Sequence, residues 1–196
     1  MATGITRSMF LQNMNLDKQG LFNLSSTTTH QYIHDVDFDI STDGLNDQLS
    51  KVNNNAIKET LKLTYKKHDF LIGLNGSILA NHISSNRNDF NNFTYYHFNY
   101  GVNIYTPLWW KWNLNTDFSI YSKRGYAVKT MNTNDMIWNA SLSRSLFKKK
   151  LTVSLEAYDL LHQLSKNRLT VNSQGRTEIR VNTIPNYYML KLQYAF

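Results

Sequence analysis

The chain has 196 residues, 41% hydrophobic and 18% charged, with a net charge of +7, totals that suit one β domain or two small ones. Cysteine is absent, which excludes a disulfide framework and a thiolate metal site. No run of about 18 or more apolar residues occurs, which excludes a transmembrane helix. No phosphate loop, nucleotide fingerprint or nucleic-acid motif stands in a fitting context either.

Twelve Tyr, ten Phe and four Trp stand against eight Gly and two Pro, a profile that favours strands over helices. Residues 1–30, beginning "MATGITRSMFLQNMNLDKQG", are left unassigned as a further strand or a loop. They show no basic region followed by an apolar stretch and a small-residue cleavage site. The expectation is that the chain is either not exported or does not start at the first residue of its gene product.

From residue 31 onward, apolar residues recur with period two. They run through Tyr32, Val36, Phe38 and Ile40; Leu61, Leu63 and Tyr65; and Phe70, Ile72, Leu74, Ile78 and Ala80. The alternation continues through Tyr96, Phe98, Tyr100, Val102 and Ile104, then Trp112, Leu114, Phe118 and Ile120. Met136, Trp138, Ala140, Leu142 and Leu146 follow, then Leu151, Val153, Leu155 and Ala157. The last segment, "NYYMLKLQYAF", sets Tyr188, Leu190, Leu192, Tyr194 and Phe196 in one row. These make about eight segments, many near the ~9–11 residues a tilted strand needs to cross hydrocarbon.

The opposite parity is polar, as in Asn113, Asn115, Asp117 and Ser119, or Lys58, Thr60, Lys62 and Thr64. Such alternation suits a packed sandwich or a membrane barrel equally. Connection lengths separate the two. Short breaks at 66–68, 107–111 and 148–150 alternate with long polar ones at 41–55, 84–92, 123–134 and 162–185, the rhythm of an up-and-down barrel with tight periplasmic turns and longer extracellular loops. The Asn-rich stretches 53–55 and 91–92 read as loops. Lys66, Lys67, Lys111, Lys148, Lys149 and Lys150 fall in or beside the short breaks, a placement that favours solvated turns or an anionic membrane surface over nucleic acid.

Aromatics cluster at the same breaks. Trp109, Trp110 and Trp112 share one turn, Phe70 and Phe147 flank two others, and Tyr194 and Phe196 close the chain, as an interfacial girdle requires. Phe90, Phe93, Tyr95, Tyr96, Tyr187 and Tyr188 are candidates for a belt on the far rim.

Catalytic and metal chemistry find little support. Asp35, Asp37 and Asp39 alternate along a strand, but no Gly-turned loop with a closing bidentate Glu follows. A wet lumen-facing row is the expected role. His82 and His97, with Ser119, Ser141 and Ser143 on neighbouring strands, offer a histidine–serine pairing without an identifiable third member or oxyanion hole. Neither an enzyme activity nor a cofactor is expected.

The segments "KRGYAVKTMNTNDMIWNASLSRSLFKKKLTVSLEAYDLLHQLS" and "NSQGRTEIRVNTIPNYYMLKLQYAF" resemble the C-terminal strands of Bacteroidetes outer-membrane β-barrel proteins of the TonB-dependent receptor type. The shared elements are "RGY", "MNTNDMIWNASLS", "YDLLHQLS", a "QGRTE" loop and the terminal aromatic-x-Phe, with a looser match from about Gln31. The resemblance implies a cell outer-membrane location and a nutrient-transport role. It also implies a last strand read by the barrel-assembly machinery, with Phe196 and Tyr194 as chief signal on the row of Tyr188, Leu190 and Leu192. Full-length members add a signal peptide, a plug with a TonB-contacting segment and about 22 strands in all. On this resemblance the chain is the last third of such a barrel, without its gating apparatus.

The expected fold is therefore an antiparallel up-and-down transmembrane β-barrel, present as an incomplete C-terminal portion over residues 31–196. Its expected partners are outer-membrane lipid, the barrel-assembly machinery, and the remaining strands and plug of a larger receptor, with no nucleic acid. The alternative is a self-contained eight-stranded barrel of structural or adhesive role, its interior filled by Tyr95, Tyr105 and Tyr121. In that case strand 31–40 would pair with strand 186–196. A secreted sandwich, with its Leu and Trp rows packed on each other, is the other alternative.

Overall fold

Each alternating segment turns back beside the one before it. A computed structural model describes residues 2–39, 48–87, 90–163, 168–172, 175–179 and 186–195. The strands are β1 (Ala2–Asn15), β2 (Phe22–Asp39), β3 (Gln48–Lys67), β4 (Phe70–Ser85), β5 (Phe93–Pro107), β6 (Trp112–Arg124), β7 (Asn134–Leu146) and β8 (Leu151–Tyr158). A short hairpin follows, β9 (Arg168–Asn172) with β10 (Gly175–Ile179), and then β11 (Tyr187–Tyr194).

Nine of these form one sheet in the order β1-β2-β3-β4-β5-β6-β7-β8-β11, while β9 and β10 pair with each other. Every pairing in the large sheet is antiparallel. The architecture is an all-β, up-and-down antiparallel sheet, and it is open: among the described residues β1 pairs only with β2, and β11 only with β8. Strand 31–40 lies within β2, between β1 and β3, far from β11 in the sheet order. The eight segments legible in the sequence are all strands. Residues 2–15 supply a ninth, and part of the 162–185 connection is a hairpin instead of loop alone.

The stretch 48–55 is a second departure. It was expected as loop, yet it extends β3, with Asn53, Asn54 and Asn55 opposite His34, Ile33 and Tyr32 on one side and Ser84, Ile83 and His82 on the other. Both faces are largely polar there, so the apolar period that marks a half-buried strand is missing, although ladder hydrogen bonds still form.

Register fixes the faces. Residues directly opposite in a ladder share a face, so Leu63, Leu74 and Val102 lie on one side with Phe118, Trp138 and Ala140. Leu142, Leu155 and Leu190 continue that face to the last strand. Its side chains are exposed: Leu74 is 51% exposed, Leu155 53%, Leu190 65% and Leu192 64%. Among the described residues no second layer covers them, and the Leu and Trp rows are not packed on each other as a sandwich would have them. The apolar face fades toward β1, where Phe10 and Met14 share the apolar side with Thr6, Ser8 and Gln12, while Ile5, Met9 and Leu11 take the polar one. Glu59 interrupts the band on β3, where it accepts hydrogen bonds from Ser26 Oγ (2.6 Å) and Thr28 Oγ1 (2.5 Å).

Burial concentrates at the long-connection end of the polar face. Val52, Ile83 and Asn81 are almost fully covered there, as are Tyr126 and Met131 from the β6–β7 connection.

Candidate functional site

The β6–β7 connection folds back onto the polar face because its own side chains close it. Gly125 takes φ +87, a left-handed conformation for which glycine is suited; a Cβ there would lie 2.4 Å from the Thr94 carbonyl oxygen. Asn132 then spans the loop: its Oδ1 accepts from Tyr126 N (3.0 Å) and its Nδ2 donates to Tyr126 O (2.7 Å). Arg124 ties the base, donating to Thr133 O (2.9 Å) and Asn134 Oδ1 (2.6 Å).

This closure sets the Tyr126 ring on Tyr95 of β5, centroids 4.8 Å apart at 19°. Tyr126 Oη is hydrogen-bonded to His97 Nε2 at 2.6 Å, and Asn81 Nδ2 donates to the Tyr95 hydroxyl. Burial, and then the nearby Tyr95, push the Tyr126 hydroxyl well above the usual tyrosine range. It therefore stays protonated and able to donate to a neutral His97 ring. Asn81 Oδ1 and Asn99 Oδ1 are buried acceptors without a hydrogen-bond partner, an arrangement that costs free energy unless a donor arrives.

A second polar feature lies between β6, β7 and β8. A cleft of about 180 Å³ is lined by Asn115, Asp117, Asn139, Ser141, Glu156 and Tyr158. Asn139 Nδ2 donates to Asp117 Oδ2 (2.9 Å), Tyr158 Oη donates to Glu156 Oε2 (2.7 Å), and Tyr158 stacks on Tyr187 at 4.7 Å. The chemistry offered is carboxylate, amide and hydroxyl beside aromatic rings, a surface for hydrogen-bonding polar solutes.

The residues picked from sequence divide by parity. His82 and His97 lie on opposite faces: His97 is opposite Leu79 and His82 opposite Thr94, with His82 Nδ1 and Thr94 Oγ1 2.9 Å apart. The two histidines therefore do not form one site, and only His97 shares the face of Ser119, Ser141 and Ser143. Asp35 accepts from Thr3 Oγ1 at 2.8 Å, the side chains of Asp37 and Asp39 lie outside the described residues, and no cluster of three metal-ligating side chains occurs among the described ones.

Parity also splits the far-rim aromatics. Tyr96 and Tyr188 are on the apolar face, whereas Phe93, Tyr95 and Tyr187 are on the polar one. At the short-turn edge, Trp109 and Trp110 are 70% and 74% exposed and meet edge to face at 6.5 Å. Trp112 lies under the Arg144 guanidinium at 5.8 Å, Phe70 meets Tyr65 at 6.2 Å, and Phe147 and Tyr194 are exposed. Phe196 lies outside the described residues. The sequence offers the 123–134 connection, together with 162–185, as a ligand-facing loop, but it does not single out Tyr126 and Asn132 within it, since only the "G-Y" and "N-T-N" turn letters signal a folded loop. No protein-family model, curated protein or solved structure matches the chain.

Proposed function

We propose that this chain is part of the wall of an outer-membrane β-barrel, of the kind found in TonB-dependent-receptor-like nutrient transporters, with its apolar face against lipid and its polar face toward the lumen. One observation carries the membrane reading: Leu61, Leu74, Tyr100, Trp138, Leu155 and Leu190 stand exposed on one face from β3 to β11, while the opposite face is largely hydrogen-bonding. In water such a face drives aggregation; in a bilayer it is solvated by hydrocarbon. From Trp112 to Ile120 the apolar face of β6 spans roughly 20 Å once strand tilt is included, close to the height of a barrel's lipid-facing band.

Strand direction supports a wall segment over a small closed barrel. The nine-stranded order contains eight antiparallel steps, so β1 and β11 run the same way and self-closure would need a parallel seam. Tyr105 and Tyr121, offered as fillers of a narrow interior, are 37% and 39% exposed on the polar face. The transporter assignment rests on the resemblance of the C-terminal segments, and the 125–133 connection over Tyr95 and His97 is its candidate ligand-facing element.

The test is single-cysteine labelling of the exported chain, which has no cysteine of its own. Phe118→Cys and Leu190→Cys should resist a water-soluble maleimide in membranes, and Ser119→Cys and Lys191→Cys should react. Equal labelling of both parities would refute the membrane wall.

A further inference from the structure

We propose that the short-turn edge of the sheet is a docking rim for anionic phospholipid headgroups, an inference that rests on the membrane reading and adds a charge-selective lipid partner to it. The edge gathers most of the chain's excess charge. Lys18 stands in the β1–β2 turn, Lys66 and Lys67 end β3, and Lys111 and Lys148 to Lys150 fill the next two short turns. Against these seven lysines the same edge carries only Asp17 and Asp69, leaving five of the chain's seven net positive charges there. In sequence the four long connections, 40–47, 86–92, 125–133 and 159–186, hold six basic and five acidic residues. The field is therefore polar along the strand axis, positive at the short turns.

Two observations make this edge a lipid partner's surface and not merely a solvated one. The lysines are exposed and stand beside Trp109, Trp110 and Phe147, each at least 70% exposed. Aromatic rings of that kind settle at headgroup level, so the adjacent ammonium groups would lie at the depth of the phosphates. An open groove of about 490 Å³ lies between Lys67, His68, Asp69, Phe70, Thr106 and Pro107, where the Lys67 ammonium stands beside the Phe70 ring and Pro107, with the Asp69 carboxylate offsetting part of its charge.

Each lysine near an anionic surface adds about fivefold to association, screened by salt. The experiment compares spin-labelled phosphatidylglycerol with spin-labelled phosphatidylcholine as the lipid held at the full chain in phosphatidylcholine vesicles. The expected result is a several-fold preference for phosphatidylglycerol that falls at high salt and is lost in Lys148→Gln/Lys149→Gln/Lys150→Gln. It should be kept when the same three become arginine, and kept in Lys51→Gln/Lys129→Gln near the opposite edge. Equal retention of both lipids, or equal loss of preference in the Lys51/Lys129 variant, overturns the rim. Absence of any motionally restricted lipid in neutral vesicles refutes the membrane reading itself, a result distinguishable from lost selectivity.

Discussion

Tyr126 and Tyr95 stack face to face, centroids 4.8 Å apart, although one belongs to a connection and the other to a strand. The contact holds the β6–β7 connection over the polar face, and its strength is measurable. Tyr126→Ala removes a ring that is 8% exposed and should cost about 3–5 kcal/mol of local stability. Tyr126→Phe keeps the stack, loses the His97 hydrogen bond and should cost about 1 kcal/mol. Hydrogen exchange of amides 125–133 reports both, and equal protection in Tyr126→Ala and the parent chain would refute the docking role.

The same tyrosine makes the loop sensitive to alkali. Its ionisation is raised above the ordinary value of 10.0, by burial first and Tyr95 second. A group whose folded pKa exceeds its unfolded one stabilises fully below the unfolded value and loses that contribution as pH rises above it. Protection of 125–133 should therefore fall as pH climbs past about 10, and the fall should be weaker in Tyr126→Phe. A pH profile identical in the two proteins would contradict the assignment.

Gly125 is the hinge of the closure. Gly125→Ala places a methyl 2.4 Å from Thr94 O at φ +87 and should destabilise the loop by about 1–3 kcal/mol. Loss of protection should be confined to the connection, since the β5–β6 ladder ends at the Tyr96–Arg124 pair. A neutral substitution would mean the backbone has another route.

The β7–β8 turn should show the reverse sign. Lys149→Gly relieves a left-handed residue and should stabilise the hairpin by about 1 kcal/mol, read as a higher denaturant midpoint, while weakening the preference for anionic lipid. Stabilisation without any change in lipid preference would detach that lysine from the rim.

Edge direction gives a parity rule. Met9→Cys on β1 and Lys191→Cys on β11 share the polar face and should form no intramolecular disulfide on oxidation, because the two strands are the opposite edges of the open sheet and a seam between them would be parallel. An N-terminal extension of one strand supplies the antiparallel partner both edges lack; an extension of two does not. The one-strand extension should give the compact, detergent-resistant form. Closure of the unextended chain, or no difference between the extensions, would rule out antiparallel completion by an odd number of strands.

Alternation alone specified eight strands, because each presents apolar residues on one face only over the stretch that needs hydrocarbon or a core, as in Trp112 to Ile120. The short connections were legible and the long ones only in part: Lys148 to Lys150 and the run 123–134 break the period, but 48–55 and part of 162–185 pair as strands. Where both faces carry mostly polar residues the period vanishes, so β3 from Gln48 to Asn55 became visible only through its pairing with β2 and β4. β1 was hidden for a related reason: its apolar residues are split between the faces, Phe10 and Met14 on one and Ile5, Met9 and Leu11 on the other, so no period of two stands out. The up-and-down order was legible as well, whereas tertiary structure alone decided the register, that β11 passes the β9–β10 hairpin to pair with β8, that His82 and His97 face opposite ways, and that Tyr126 reaches Tyr95. Local sequence encodes which residues share a face of one strand; register and loop closure, set by long-range hydrogen bonds and ring packing, decide which faces meet.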